Sequence, residues 1–485
     1  MSNSKTSCST GEMVLYGTGE CTTSLVMNTV FGFAMICYTD ALGLSPVNAG
    51  LALSLAIFWD AVSDPLMGHI SDNTRSRFGR RHPYVLIGGI LLSLTFYSLW
   101  AVPGFIRENT TSIFWYMVIV NLILRTALTV FVVPYTALGF EICTDYNGRS
   151  KLQGIRMAMN MLANLLGPAL AWSIFFQDQG GVKATSQISN FMHMAAVFSA
   201  FILFFVLLVT FSTKKHIKDS RQLELKGNSV KAFCRDITEI IKDKYPRYVF
   251  FFIFFVQLGI GIQAALQIYL YEHFMDFGGT EKTFAHGGGM IGMCIGALIS
   301  SFCVRLFEKK GAVFFGGILS VSSNLILALL FLTGWMGPDF KFSLLGLNIP
   351  LAVILFVLFH SGYWFGNGIL FPITVSMMAD VSEINEIKTG INKDGGYSAV
   401  YSFALKMSMS VSSFLAGYIL TLIGYSALGQ EKLSDEIVWR ICFVGLIVAP
   451  VISLCSLIVI KFYPVNKLFL ENLRMENQTI QIQAD

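Results

Sequence analysis

The chain has 485 residues, of which 54% are hydrophobic and 13% charged, with a mean hydropathy of +0.62. Soluble domains carry roughly 25% charged residues, so this composition excludes an ordinary soluble protein. A net charge of +4 gives no reason to expect nucleic acid as a partner, and nine cysteines without a C-x-x-C pair outline neither a zinc site nor a disulfide framework.

The N-terminal MSNSKTSCSTGE holds one lysine and no cleavable apolar segment, so the first helix is expected to direct insertion itself. Six apolar runs follow: Met13–Tyr38, Pro46–Ile70, Pro83–Val102, Ile113–Phe140, Leu152–Phe176 and Phe191–Phe211. After the polar stretch 212–247 come six more: Tyr248–Phe274, Phe284–Leu306, Val313–Leu332, Leu351–Met378, Tyr397–Ile423 and Val438–Phe462. Each is long enough to cross a bilayer, which takes about 20 residues. The expected architecture is an all-α membrane protein of twelve helices. It comprises a six-helix bundle at 1–211, a cytoplasmic linker at 212–247, a second bundle at 248–463 and a tail at 464–485. The linker has room for a short amphipathic helix.

Lysine and arginine set the orientation. With the N-terminus inside, 25 of the 34 fall on cytoplasmic segments and five on external ones, while Arg125, Arg156, Lys406 and Arg440 lie within helices. Both termini are therefore expected in the cytoplasm of a cell whose plasma (in a bacterium, inner) membrane holds the protein.

The densest chemistry lies between Trp59 and Tyr84, WDAVSDPLMGHISDNTRSRFGRRHPY. Asp60 and Asp64 are one turn apart and share a helix face. Each costs about 2.5–3.5 kcal/mol at mid-bilayer, and the pair repels unless a cation, proton or basic side chain intervenes. The following loop holds Gly68, Asp72, Gly79, Arg80 and Arg81 in a G-xxx-D…G-R-R pattern, which resembles the loop signature of the major facilitator superfamily. Its glycines permit close approach and a tight turn. A weaker copy, Arg305-Leu-Phe-Glu-Lys-Lys-Gly311, follows helix eight and suggests an internal repeat.

Further motifs sit in order on the right helices: YGTGE from Tyr16, YTDALGLS from Tyr38, VPYTALGFE from Val133, MADVSE from Met378 and YSAVYSFALK up to Lys406. With WDAVSDPLMG and TRSRFGRRHPY they resemble the glycoside–pentoside–hexuronide:cation symporter family over nearly the whole chain. The resemblance implies a secondary active transporter of the major facilitator fold, coupling a cation to uptake of a sugar, glycoside or hexuronide by alternating access. Asp60 and Asp64 match the family's cation-binding carboxylates. Thr129 falls where the family's melibiose permease has a threonine ligand and Ser63 where it has asparagine, which leaves Na⁺ and H⁺ both open. Lys406 matches a lysine near the carboxylates. No cofactor is implied beyond the coupling ion.

The substrate side departs from that permease. Its two sugar-binding carboxylates correspond to Ser24 and Val132, an adjacent lysine to Thr23, and its two cavity tryptophans to Thr136 and Phe371. Arg156 is retained after a one-residue gap, and Glu20 stands at an often acidic position. Tyr401 is able to stack on a sugar ring, as are Tyr363, Trp364 and Tyr397. Arg125 has no counterpart there. It lies one turn before Thr129 and two before Val132 on one face. It suits either a protein carboxylate or, together with Arg156, an acidic substrate group. His273 and His360 read as packed histidines; Glu141, Asp145, Asp380, Glu383 and Glu386 read as cytoplasmic gate or surface charges.

No H-E-x-x-H, G-x-S-x-G or P-loop suggests an enzyme. Animal relatives of the family move lysolipids, so a lysolipid or other amphiphile is the alternative cargo, and an uncoupled facilitator the alternative mechanism. The expected partners are a small solute and the bilayer, with a monomeric carrier.

Overall fold

A computed structural model describes residues 9–143, 146–177, 183–217, 238–240, 242–344, 347–390, 393–426 and 433–484. The expected linker helix falls largely on 218–237 and lies outside them, as does Asp145.

Six helices come first: α1 Thr10–Ala41, α2 Pro46–Asp72, α3 His82–Trp100, α4 Thr110–Ile142, α5 Tyr146–Leu170 with a π turn to Phe175, and α6 Ile188–Ser212. The second set opens with α7 Lys244–Phe274. A helical stretch of 54 residues, Gly279–Leu332, comes next. At 1.5 Å per residue it is far longer than the roughly 30 Å hydrocarbon core. It breaks at Glu308, whose φ of 56° and ψ of 175° are non-helical, into α8 and α9. The set closes with α10 Leu351–Thr389, α11 Asp394–Ile423 and α12 Asp435–Lys461. Twelve apolar helices are thus present among the described residues.

The tail differs from expectation. Lys467–Ala484 forms a further helix, α13. Phe469, Leu470 and Leu473 pack on the core that includes α10, and Arg474 donates to Glu383 of α10 at 2.6 and 2.9 Å. Those apolar residues recur at helical spacing over too short a run to register as a membrane span.

Contacts divide the chain into two units. One comprises Met1–Asn228, Gly278–Thr283 and Gly417–Lys432; the other comprises Ser229–Phe277, Phe284–Ala416 and Leu433–Asp485. In the first unit α3 is held close to its neighbours by Gly88 and Gly89. An added Cβ would stand 2.8 Å from Val130 Cγ1 and 2.3 Å from Val206 Cγ1 respectively. Small residues of this kind let membrane helices approach where no hydrophobic force drives them together. The short segments from α8 and α11 join this unit through direct bonds. Val47 N–H donates to Thr421 Oγ1 at 3.1 Å, and Tyr425 Oη donates to Asp40 at 2.6 Å.

The two sets repeat one another in detail. α1 and α7 both end in a π turn, Cys37–Ala41 and Leu270–Phe274. Both then turn through a residue of positive φ, Gly43 at 69° and Asp276 at 49°. The tyrosine of each π turn bonds to the fourth helix of its own set: Asn121 donates to Tyr38 Oη at 2.7 Å, and Tyr271 Oη lies 3.1 Å from His360 Nε2. The loop after each second helix has a positive φ followed by basic residues, Gly79-Arg80-Arg81 and Glu308-Lys309-Lys310. Those bases bind a carboxylate near the C-terminal end of the fourth helix: Arg80 to Glu141 at 2.7 Å and Lys309 to Asp380 at 2.6 Å. Such repeats are the plan of two-bundle carriers.

Candidate functional site

The repeat fails at one place. Residues 284–297 of α8 contain no acidic residue, whereas the matching part of α2 carries Asp60 and Asp64. On α2, Leu55, Phe58, Val62, Leu66 and Ile70 are exposed and recur every three or four residues. They form an outward apolar stripe. Asp60 and Ser63 are therefore buried on the opposite face, at 5% and 7% exposure, and Asp64 is half-buried beside them. Trp59 ties the helix to α4 by donating from Nε1 to Thr126 Oγ1 at 2.9 Å.

α4 brings Thr129 to the carboxylates. Its Oγ1 lies 3.0 Å from Asp60 Oδ1, 2.8 Å from Asp64 Oδ1 and 3.2 Å from Ser63 Oγ. Four oxygen-bearing side chains thus converge within one hydrogen-bond radius. Hard oxygens of this kind, two of them formally charged, suit an alkali cation. One hydroxyl proton serves only one acceptor at a time, so Thr129 donates to one of the two carboxylates at any moment. Both helices carry a proline at or just beyond the site, Pro65 directly after Asp64 and Pro134 five residues after Thr129, each of which frees a backbone carbonyl in the turn before it. Arg125, only 4% exposed, stands with Nη1 3.6 Å from Asp60 Oδ2.

A second polar cluster lies in the same unit. Arg156 on α5 pairs with Glu20 on α1 through Nη2 and, at 2.8 Å, through Nε. It also donates to Thr136 Oγ1 at 3.3 Å and to Gln153 Oε1 at 3.2 Å, and its guanidinium lies over the Tyr135 ring at 5.1 Å. Asn160 donates to the other Glu20 oxygen at 3.3 Å. Ser24 donates to the Asn160 carbonyl at 2.9 Å. This knot gathers the expected residues Glu20, Ser24, Thr136 and Arg156, with Val132 half-buried one turn before Thr136 on α4. Gln153, Asn160, Tyr16 and Tyr135 were not singled out from sequence. The signal was available for two of them, since Gln153 and Asn160 lie three before and four after Arg156 on one helical face.

Phe371, Tyr401 and Lys406 belong to the other unit, where Phe371 and Tyr401 pack against its core and Lys406 is half-buried. Tyr363 and Tyr397 are buried in that core at 0% and 2% exposure. His360 is buried too and accepts from Trp364 Nε1 at 3.1 Å; it is a packed, bonded histidine.

The loop after α2 makes the tight turn that its glycine suggests. Gly79 has φ of 77°, and Arg81 is buried with Nη1 2.6 Å from Ser71 Oγ. Arg80 and Arg81 share Glu141, at 2.7 and 3.3 Å. Gly68 is not at a close helix approach as the sequence suggested, because an added Cβ would meet only Val133 Cγ1 at 3.8 Å; the side chain of Asp72 lies outside the described residues.

Comparison with known proteins identifies the family and the fold. The MFS/sugar transport protein family matches residues 15–467. The inner membrane symporter YicJ of Escherichia coli is 25% identical over 93% of this chain and 91% of its own. The sodium-dependent lysophosphatidylcholine symporter 1 of Gallus gallus is 23% identical over 92% of this chain and 86% of its own. A crystal structure of the nucleoside transporter NupG superposes with a TM-score of 0.63 at 12% identity, covering 93% of this chain and 98% of that one, so the two share a fold. The chain is an integral membrane carrier of the major facilitator fold and belongs to the MFS/sugar transport protein family.

Proposed function

We propose that the protein is a cation-coupled symporter of a sugar or glycoside, with Asp60, Asp64, Ser63 and Thr129 as its cation site. The observation that carries this reading is the Thr129 hydroxyl lying within 3.0 Å of a carboxylate oxygen of both Asp60 and Asp64. A carrier without coupling has no use for two intramembrane aspartates on one face, each costing about 2.5–3.5 kcal/mol to insert. The coupling ion is Na⁺ or H⁺: a four-oxygen cluster accommodates the first and a carboxylate pair the second.

In the first unit the candidate substrate contacts are Glu20, Ser24, Val132, Thr136 and Arg156, with Arg125 next to the cation site; in the second unit, taken by itself, the candidates are Phe371 and Tyr401. Glu20 and Asn160 supply acceptor and donor side by side, as a neutral hydroxylated ring requires. A hexuronide carboxylate would meet Glu20, and both buried arginines already face protein carboxylates. A neutral sugar or glycoside is therefore favoured over an acidic one. Lys406 supplies the positive charge that links ion and solute binding. The carrier works as a monomer in the cell membrane, with both termini in the cytoplasm. A lysolipid cargo is the second reading, favoured by the similarity to the lysophosphatidylcholine symporter along most of the chain.

The test is uptake into cells expressing the protein, across neutral sugars, glycosides, uronides and lysolipids, with and without Na⁺ at several external pH values. Accumulation of a sugar against its gradient only when an ion gradient is present supports the reading. Accumulation of lysolipid alone moves the protein to the second one, and downhill flux insensitive to any ion overturns coupling.

A further inference from the structure

Two buried arginines of one unit are held in very different ways. Arg156 has its fork engaged: Nε and Nη2 both meet Glu20, and Thr136 and Gln153 take further N–H groups. Arg125 is more deeply buried, at 4% exposure against 9%. Yet its approach to Asp60 Oδ2 is 3.6 Å, outside hydrogen-bond range, and its one hydrogen bond among the described residues, at 3.1 Å, runs to Met27 Sδ. A thioether is a weak acceptor for a group with five N–H donors. An arginine kept for structure pairs bidentately at about 2.7–2.9 Å. This one is placed for its charge. It also stands off Oδ2, whereas Thr129 bonds Oδ1 of the same carboxylate, so it flanks the cluster without filling it.

We propose that Arg125 is a tethered cation of the ion site: it supplies one positive charge beside Asp60 and thereby sets how strongly the carboxylate cluster takes up a mobile alkali cation. The inference rests on the symport reading above. A fixed charge a few ångströms from the ion's position repels it through a low-dielectric interior, so removing that charge should tighten ion binding by about tenfold or more. The fixed charge keeps the ion weakly enough bound to be released on the far side at every cycle.

The experiment uses Arg125→Gln and Arg125→Lys in the full-length chain. Na⁺ is titrated against choline at constant ionic strength. One readout is the Na⁺-dependent rise in unfolding temperature of the purified protein in detergent, and the other is Na⁺-dependent uptake by cells. The half-saturating Na⁺ concentration should fall at least about tenfold in Arg125→Gln and return to within about threefold of wild type in Arg125→Lys, because lysine restores charge without the fork. Adding Asp60→Asn to Arg125→Gln should abolish the gain. An unchanged or raised half-saturation in Arg125→Gln overturns the proposal. So does failure of both single variants to reach the membrane, which makes Arg125 a folding residue, and so does the absence of any Na⁺ response in wild type and variants alike. A wild type that binds Na⁺ in detergent without accumulating solute removes the symport reading and leaves the ion-site result standing.

Discussion

At the residue scale, the proposed ion site consists of four side chains on two helices. Replacing Asp60 or Asp64 with Asn should abolish accumulation of substrate while leaving exchange down its own gradient measurable in preloaded vesicles. Full accumulation by Asp60→Asn would remove the carboxylate from the ion site. Thr129 allows a finer test. Its hydroxyl bonds charged oxygens, an interaction worth about 1.5–3 kcal/mol, so Thr129→Ala should weaken ion affinity by about tenfold to a hundredfold. Thr129→Ser keeps the oxygen and should stay close to wild type in the same ion titration. Equal losses in both would mean that the methyl group, and its packing, matters more than the hydroxyl. The aspartates were legible because one-turn spacing and intramembrane charge are sequence properties, and Thr129 through the family resemblance alone. For Asn160 the sequence offered only its spacing from Arg156; its partner Glu20, 140 residues away, appears only when the helices pack.

Each helix element carries its own strain and its own restraint. Gly79 and Glu308 sit at equivalent turns with φ of 77° and 56°. Only glycine adopts that conformation without cost, so Gly79→Ala should destabilise the protein by about 1 kcal/mol and Glu308→Gly should stabilise it by a similar amount. Unfolding midpoints of the purified variants check both signs, and a lower midpoint for Glu308→Gly would show that its carboxylate has a role the backbone strain conceals. The turns are followed by matching ion pairs, Arg80–Glu141 and Lys309–Asp380. The second is partly buried and single. Reversing Lys309 to Asp should cut uptake, and adding Asp380→Lys should restore part of it. No recovery in the double variant would mean that position, not pairing, is what matters at Lys309. The tail helix α13 escaped sequence reading for a plain reason. Phe469, Leu470 and Leu473 form a narrow stripe in a polar segment, and nothing in the segment says what it packs on.

For the whole carrier, the question is what drives transport. If one cation enters with a neutral solute, each turnover moves one charge, and the membrane potential supplies about 2.3 kcal/mol per 100 mV. At 1.4 kcal/mol per decade this supports roughly 50-fold accumulation. Clamping the potential to zero in vesicles with an ion gradient still present should therefore lower the accumulation ratio of a neutral sugar by about that factor per 100 mV lost. An accumulation ratio indifferent to potential would mean that an anion travels with the cation, and would favour the acidic solutes over neutral ones.

Twelve spans, their repeat and the family were all present in the sequence. They follow from local properties: hydrophobic length against bilayer thickness, and short motifs whose residues act within one turn. The one-turn pairing of Asp60 with Asp64 belongs to the same class. Tertiary structure alone decided the rest, because it depends on which helix faces meet. It brought Thr129 between the two carboxylates, set Arg125 at 3.6 Å from Asp60 while locking Arg156 onto Glu20, and buried Tyr363 and Tyr397 in a core. An intramembrane arginine must find a counter-charge, and its own helix does not say where. Only the packing of α2 against α4, and of α1 against α5, separates the arginine fastened to a carboxylate from the one that stands 3.6 Å off it.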